Sequence, residues 1–204
     1  MLRRVLCRTP HVALCAVALV SACSKGDKKA DSAKVADSIA AATPAPAPAP
    51  APPALTDANI LAMLDADNVH DSTAGALAAS KGTSAGVKEF GRTMIKDHHA
   101  LRAEGTALAK KDSITPAMPA GESDAAAEAA VGDSLKSMPK GAAWDKFYVD
   151  HNVAGHEKVL RFAQDAANSA QNADLKAMIQ KATPTIQKHL DAAKALQTKL
   201  AAKP

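Results

Sequence analysis

Aromatic residues are scarce in this chain of 204 residues: they make up 2% of it, with one tryptophan, one tyrosine and three phenylalanines. Hydrophobic residues reach 47%, but many of them are alanine. Because β-sandwiches and barrels rely on aromatic and β-branched runs, this composition argues against them. The net charge of +4 is small, and no basic stripe is interleaved with aromatics, which argues against a nucleic-acid-binding protein.

Several motifs of known catalytic and binding sites are also absent. The chain contains no Walker, Rossmann or His-Glu-x-x-His pattern. With a single tyrosine and a single tryptophan, it also lacks the material for an aromatic platform that binds carbohydrate.

The three cysteines all lie at the N-terminus, where the sequence predicts a bacterial export signal. Three arginines give a basic start, residues 12–20 form a short apolar stretch, and residues 19–23 (LVSAC) match a lipobox. We therefore expect a lipoprotein signal peptide over residues 1–22 and lipidation of the Cys23 thiol. The alternative is an ordinary cleaved signal peptide that ends near a cysteine by chance.

Lipidation of Cys23 predicts a protein of the cell envelope. The next residue is Ser24 rather than an aspartate, so by similarity to sorted lipoproteins we expect the outer membrane, with the protein facing the periplasm. Residues 23–54 predict a lipidated, disordered tether that contains an Ala-Pro repeat over residues 44–53. Proline fixes φ and lacks an N–H group, so this repeat predicts an extended spacer of about 30 Å.

From Leu55 onward the hydrophobic pattern has a helical period and no strand alternation. It predicts an all-α domain over residues 55–204: an antiparallel four-helix bundle in up-down-up-down order, with an extra short helix before helix 3. The first expected helix is capped by Thr56 or Asp57 and ends at about Ser80. The second is capped by Ser84 and ends at about Lys111, and the short extra helix covers about 123–137. The last two run from about Ala143 to Ser169 and, capped by Asn172, to about Ala201. Pro184 predicts a kink or a restart capped by Thr183.

The apolar faces of the four long helices carry polar and ionisable side chains. On a helical wheel these are Asp67, Asp71, His98, Asn152, His156 and His189. Because an unpaired buried charge is costly, such groups must meet one another, bind a metal or border water. Because mid-helix positions of a bundle share one layer, we expect four of these residues to converge in the interior: Asp71, His98, His156 and His189. Asn152 and Asp67 are expected to contact and support these four.

Two interpretations of this layer stay open. Imidazoles with a carboxylate suit Fe, Zn, Cu or Mn, so these four residues are candidate metal ligands. Alternatively, the layer is a metal-free polar cluster of hydrogen-bonded structural residues. Three other histidines are expected at the edges of the apolar faces or outside them: His70, His99 and His151. Asp67 and His70 have ligand-like spacing but are expected to form an exposed pair, and Asp97 is a candidate to orient an imidazole.

Three segments resemble the DUF4142 family, a domain of unknown function. They are residues 87–109 (VKEFGRTMIKDHHALRAEGTALA), 144–167 (WDKFYVDHNVAGHEKVLRFAQDAA) and 175–196 (LKAMIQKATPTIQKHLDAAKAL). The resemblance covers about residues 55–200 and rests on the motifs Asp97-His98, His156 and Pro184…His189. In the first helix, Asp71 stands where the family commonly has a glutamate before Gly-x-Leu-Ala.

The resemblance implies an exported, ferritin-like helical bundle whose biochemical function is not established. A ferritin-type di-iron site uses glutamates and Glu-x-x-His pairs, and this chain has no Glu-x-x-His. The sequence therefore argues against a four-carboxylate ferroxidase. A histidine-richer site, loosely similar to that of haemerythrin, fits better.

Two functions follow from these observations. The first is a lipid-anchored envelope protein, more a binding protein than an enzyme, whose bundle binds a metal ion or a partner. The second is a metal-dependent oxidoreductase, or an oxygen- or peroxide-responsive protein, that uses the same residues. We expect the protein to contact the membrane through its N-terminal lipid and to bind no nucleic acid. The sequence does not identify a protein partner, and the chain is expected to be a monomer or dimer.

Overall fold

A computed structural model describes residues 55–121 and 124–202, and these residues form five α-helices without a strand. The helices are α1 (Asp57–Lys81), α2 (Ala85–Lys111), α3 (Asp124–Ser137), α4 (Ala142–Ser169) and α5 (Ala173–Ala201). The all-α class and the extra short helix are thereby confirmed. The predicted signal peptide, Cys23 and the tether lie outside the described residues. Within the described part, no helix is both long and apolar enough to cross a membrane.

Local capping residues set the starts of α1 and α5. The Thr56 side chain accepts a hydrogen bond from the Asn59 N–H at 3.2 Å, and the Asn59 side chain accepts one from the Thr56 N–H. The Asn172 side chain accepts one from the Leu175 N–H at 2.9 Å. Such caps satisfy N–H groups that have no partner within the helix. Both starts agree with the sequence-based prediction.

The start of α2 is capped by another helix. Ser84 holds the N-cap position as predicted, but its side chain makes no capping hydrogen bond. Instead, the buried Asp145 carboxylate of α4 accepts hydrogen bonds from the N–H groups of Thr83 and Ser84, at 2.9 and 2.7 Å. A negative group at this position also interacts favourably with the helix dipole. The cap is therefore a tertiary contact between α2 and α4.

Helix α5 continues through Pro184 without a restart. The Thr183 hydroxyl donates a hydrogen bond to the Ile179 carbonyl at 2.9 Å, as a residue within a helix does. The predicted restart capped by Thr183 is therefore wrong. Proline has no N–H and so cannot donate the usual backbone hydrogen bond to the residue four positions earlier, but the helix continues on both sides of Pro184.

Helix α1 packs chiefly against α2, and α4 packs chiefly against α5. The backbones of α1 and α2 come into contact at Gly75 and Gly91, where a Cβ built on Gly91 would lie 2.6 Å from the Gly75 oxygen. Only glycine fits at this distance, because the two backbones touch. This contact fixes the register in which Asn68 of α1 lies opposite His98 of α2.

Contacts at the two ends of the domain show the order of the helices. At one end, Asp57 of α1 accepts a hydrogen bond from the Asn172 N–H, and the Asn172 side chain donates one to Asp112, just after α2. At the other end, Thr83, between α1 and α2, contacts Asp145 at the start of α4. Helices α2 and α4 thus begin at the same end, so the predicted up-down-up-down order is wrong.

The connection from α2 to α4 therefore spans the length of the domain, and α3 lies along α1. The Lys81 ammonium, at the end of α1, donates hydrogen bonds to three carbonyls at the end of α3, at 2.7 to 2.8 Å. The Trp144 indole N–H donates to one of these carbonyls, that of Leu135, at 2.8 Å. These bonds fix the end of α3 against α1 and α4.

The hydrophobic core is divided into two clusters. The first cluster includes Phe90, Met94, Trp144, Tyr148 and Ala193, and the second includes Ile60, Ala109, Ala163, Leu175 and Ile179. Trp144 and Tyr148 are fully buried in the first cluster. Along α2, α4 and α5, a buried histidine lies between the residues of the two clusters. A polar layer thus crosses the middle of the core.

Candidate metal centre

Three buried histidines from three helices meet in this layer, and we name them the trihistidine centre. His98 of α2, His156 of α4 and His189 of α5 are at most 5% exposed, and their ring centroids lie 5.2 to 5.8 Å apart. Each ring offers one nitrogen, and the three nitrogens lie within 4.8 Å of one another. The structure therefore brings together three of the four predicted metal ligands.

The outer nitrogen of each ring is held by an oxygen atom. The three contacts join Nδ1 of His98 to Oδ1 of Asn68 at 2.7 Å, Nδ1 of His156 to the backbone oxygen of Asn152 at 2.9 Å, and Nε2 of His189 to Oδ2 of Asp97 at 2.9 Å. Because these oxygens accept, each outer nitrogen carries the proton. In the neutral form of each ring, the inner nitrogen then has a free lone pair.

The inner nitrogens make no hydrogen bond within the part of the chain that the structure describes. They are Nε2 of His98, Nε2 of His156 and Nδ1 of His189, and all are buried. Leaving a buried polar atom unpaired costs about 1–3 kcal/mol, and three nearby lone pairs also repel one another. A cation removes both costs because it accepts all three lone pairs. Metal-ligating histidines typically have this pattern, with the outer nitrogen hydrogen-bonded to oxygen.

Asp71 adds a carboxyl group from α1, the one long helix that contributes no ring, to the same layer. Its Oδ2 lies 3.5 Å from Nε2 of His98 and 3.9 Å from Nε2 of His156. Burial, followed by the charges of Asp67 and Glu128, raises the pKa of Asp71 well above its usual range. The carboxylate form therefore needs a cation beside it, which the neutral rings do not supply.

Two of the rings are neutral at pH 7. Burial, together with the other two rings, lowers the pKa of His98 to about 3. Burial, together with His189, lowers the pKa of His156 to about 4. Neutral imidazole is the form that binds a metal ion. Metal binding at neutral pH would therefore release no proton from these two rings.

Two residues singled out in the sequence support the rings in ways that differ from the expectation. Asn152 holds His156 through its backbone carbonyl, not through its side chain. Asp97 does orient an imidazole, but it is that of His189, across the contact between α2 and α5, rather than that of the adjacent His98. The carboxylate thus acts on a ring 92 positions further along the chain.

Asn68 is the supporting residue that sequence reasoning missed. Its Nδ2 donates a hydrogen bond to the Leu64 carbonyl at 2.7 Å, which turns its Oδ1 towards His98. The only signal in the sequence is that Asn68 precedes Asp71 by three positions, which places both on the same side of α1. An asparagine at a half-buried position of a helix is too common for that spacing to stand out.

A cavity of about 400 Å³ opens beside the trihistidine centre. Asp67, Asp71, His98 and His156 line it, together with apolar side chains from all four long helices. Burial raises the pKa of Asp67 to about 6, more than the charge of Lys158 lowers it. A small molecule therefore has room next to the candidate ligands, on a wall that carries three carboxyl groups, those of Asp65, Asp67 and Asp71.

The structure corrects the prediction of an exposed pair between His70 and Asp67. Nε2 of His70 lies 2.8 Å from Nε2 of His151 and 3.0 Å from Oε2 of Glu128. All three side chains are half-buried, whereas His99 is exposed as expected. Glu128 belongs to α3, and its approach to α1 depends on the long connection between α2 and α4.

The sequence model of the family described as Domain of unknown function (DUF4142) matches residues 41–196, which is more than half of the chain. The chain belongs to this family. No curated protein and no solved structure matches it. The motifs that resembled DUF4142 in the sequence contribute all three rings of the trihistidine centre and the carboxylate that orients one of them: Asp97, His98, His156 and His189.

Proposed function

We propose that this DUF4142 chain forms an antiparallel four-helix bundle of the ferritin-like kind. Between α2 and α5, Asp97 meets His189 and Glu104 meets Lys181, so residue numbers rise along one helix as they fall along the other. The single long connection from α2 to α4 also supports this fold, because ferritin-like bundles have one such crossover whereas simple bundles have none.

We propose that the protein is held in the bacterial cell envelope by lipid on Cys23, in the outer membrane and facing the periplasm. The support is the lipobox over residues 19–23, which follows a basic and apolar leader. A single acyl chain binds a membrane only marginally, so stable anchoring requires the two or three chains of a mature lipoprotein.

We propose that the bundle binds one divalent transition-metal ion through His98, His156 and His189, with Asp71 as the fourth ligand. The observation that carries this proposal is the set of three buried inner nitrogens without partners, each on a ring whose outer nitrogen is tied to oxygen. Ligand atoms on one tetrahedral ion lie about 3.4 Å apart. Asp71 is already near that distance from two rings, at 3.5 and 3.9 Å.

The donor set narrows the choice of ion. Three imidazoles and one carboxylate suit Zn, Fe, Cu and Mn, whereas Ca and Mg take oxygen ligands. No cysteine occurs after Cys23, so a thiolate site is excluded in the domain. The three rings are at most 5% exposed, and low exposure to water strengthens the attraction between a cation and its ligands.

Elemental analysis and thermal unfolding test the metal proposal. The full chain is purified without a polyhistidine tag, treated with chelator, and given Zn, Fe, Cu or Mn in separate samples. An ion at a hundred times its Kd stabilises the folded state by about 2.7 kcal/mol. For a domain of this size, we expect the Tm to rise by roughly 5–10 °C.

Ligand variants assign the effect to the trihistidine centre. His98→Gln and His189→Gln each remove one candidate ligand, so we expect each to bind one ion fewer per chain than the parent. His99→Gln is the matched control, because His99 is exposed and belongs to neither cluster. The proposal fails if both ligand variants bind as much metal as the parent, or if the parent binds none; the layer is then a metal-free polar cluster.

The cavity favours a second candidate function. A metal-dependent oxidoreductase, or an oxygen- or peroxide-responsive protein, needs space for a small reactant at the ion. The 400 Å³ cavity, largely apolar, reaches Asp71, His98 and His156. Consumption of oxygen and of hydrogen peroxide by the metal-loaded chain tests this function. We expect turnover to disappear in His189→Gln; equal turnover in parent and variant would remove this candidate.

A further inference from the structure

We infer that this chain carries a second transition-metal site, formed by His70, Glu128 and His151. The three residues come from α1, α3 and α4. They share no ligand with the trihistidine centre, so the inference goes beyond the proposed function and does not depend on it. The site brings together two imidazoles and one carboxylate, a donor set typical of Fe(II) and Zn.

The distances between the three ligand atoms fit a single ion. Nε2 of His70 lies 2.8 Å from Nε2 of His151, and Oε2 of Glu128 lies 3.0 and 3.6 Å from these nitrogens. A point equidistant from all three atoms in their plane is about 1.9 Å from each, slightly less than a Zn–N bond of about 2.0–2.1 Å. An ion about 1 Å above this plane therefore reaches all three at bonding distance.

The hydrogen bonding of the three groups is incomplete without an ion. Because the two imidazoles meet through Nε2 atoms, one donates and the other accepts, and a single proton joins them. Oε2 of Glu128 is buried but makes no well-aligned hydrogen bond, although it lies 3.0 Å from the His70 ring nitrogen. An ion replaces the shared proton and also gives this oxygen a partner.

The surrounding charges favour a cation at this place. The charge of Glu128 raises the pKa of both Asp67 and Asp71, so three carboxyl groups lie within electrostatic reach of one another. Lys158 acts on Asp67 in the opposite sense.

The site differs from the trihistidine centre in its exposure. The side chains of His70, His151 and Glu128 are 17%, 16% and 35% exposed, so water has access to the remaining coordination positions. The ion is therefore expected to exchange more readily here than in the buried centre. Partial exposure also means that substitutions at these positions leave less of a cavity in the core.

An ion at this site would tie α3 to the rest of the domain. The C-terminal half of α3 is held by the hydrogen bonds from Lys81 and by the buried Leu135, whereas a cavity of about 470 Å³, lined in part by Glu128, lies between α1 and α3. A bond from Glu128 to an ion held by α1 and α4 would add a second point of attachment near the start of α3. The mobility of α3 then reports on occupancy of the site.

Metal stoichiometry in ligand variants tests the inference. The full chain, without a polyhistidine tag, is treated with chelator and titrated with Zn by calorimetry, and bound Zn is counted by elemental analysis after dialysis. We expect two ions per chain in the parent and in His99→Gln. Glu128→Gln and His151→Gln should each retain one tight ion, and the Kd of the other should rise at least about tenfold.

Hydrogen exchange in α3 provides a readout that is independent of stoichiometry. We expect Zn to slow amide exchange over residues 124–137 in the parent and in His98→Gln, but not in Glu128→Gln. The inference is overturned if Glu128→Gln and His151→Gln bind Zn with the parent's stoichiometry and affinity. Failure of the trihistidine centre would look different: the parent would bind one ion, and binding would require Glu128 but not His98.

Discussion

Lowering the pH of the metal-free protein from about 7.5 to 5 should remove the contribution of the buried rings of His98 and His156 to its stability. Their pKa values are about 3 and about 4 in the folded state, against an ordinary value of 6.5. Between these values the unfolded chain binds protons that the folded chain does not. The free energy of unfolding contributed by each ring is therefore intact above pH 6.5 and is lost as the pH falls towards the folded pKa.

The magnitude follows from the difference between the pKa values. Each pH unit in this window costs about 1.4 kcal/mol per ring, so at pH 5 each ring has lost about 2 kcal/mol relative to pH 7.5. The two rings together amount to about 4 kcal/mol, a large part of the stability of an ordinary domain. Asp67 and Asp71 act in the opposite direction: burial raises the pKa of Asp67 to about 6 and that of Asp71 well above its usual range, so a protonated carboxyl group at either position stabilises the folded state on acidification.

A comparison of variants separates these opposing contributions. Urea unfolding of the chelated full chain, followed by circular dichroism, gives the free energy of unfolding at both pH values. We expect the loss between pH 7.5 and 5 to be about 2 kcal/mol smaller in His98→Gln than in the parent. The exposed His99→Gln should behave as the parent does. Equal losses in His98→Gln and the parent would refute the assignment of a neutral, buried ring to His98.

Three further substitutions test the helix contact, the tertiary cap and the anchor. Gly91→Ala should destabilise the fold by about 1–3 kcal/mol in urea, because the new Cβ would lie 2.6 Å from the Gly75 oxygen; Gly155→Ala, with no atom within 4 Å, is the control that should not. Asp145→Ala should cost about 1–3 kcal/mol, since two N–H groups at the start of α2 lose their acceptor, and an unchanged stability would contradict the cap. Cys23→Ser should leave the protein unprocessed or soluble in cell fractionation; a processed, membrane-bound variant would contradict the lipid anchor.

The helices are predictable from the sequence because their signals are local. Apolar spacing and the caps Thr56 and Asn172 lie within a few residues of the ends that they define. The order of the helices is not predictable in this way. It depends on contacts such as that of Thr83 with Asp145, which joins residues 62 positions apart and has no counterpart in any local pattern.

The same distinction applies to the candidate site. His98, His156 and His189 are noticeable because each interrupts an apolar face. Asn68 and Glu128 are not, because they lie at half-buried positions where polar residues are ordinary, and their roles arise only from partners on other helices. Residues that interrupt a pattern can thus be found in one sequence, whereas residues that complete a neighbour's hydrogen bonds require the tertiary structure.

The pairing of α1 with α2, and of α4 with α5, makes two helical hairpins that are consecutive in the chain. The trihistidine centre straddles the seam between them, with His98 in the first hairpin and His156 and His189 in the second. The ion proposed above would cross-link the two halves, and their docking would then be a step distinct from the folding of each. With that ion, a chain cleaved between α2 and α4 should reassemble from its two fragments and separate on chelation, so that metal supply in the surroundings would set how firmly the halves hold together.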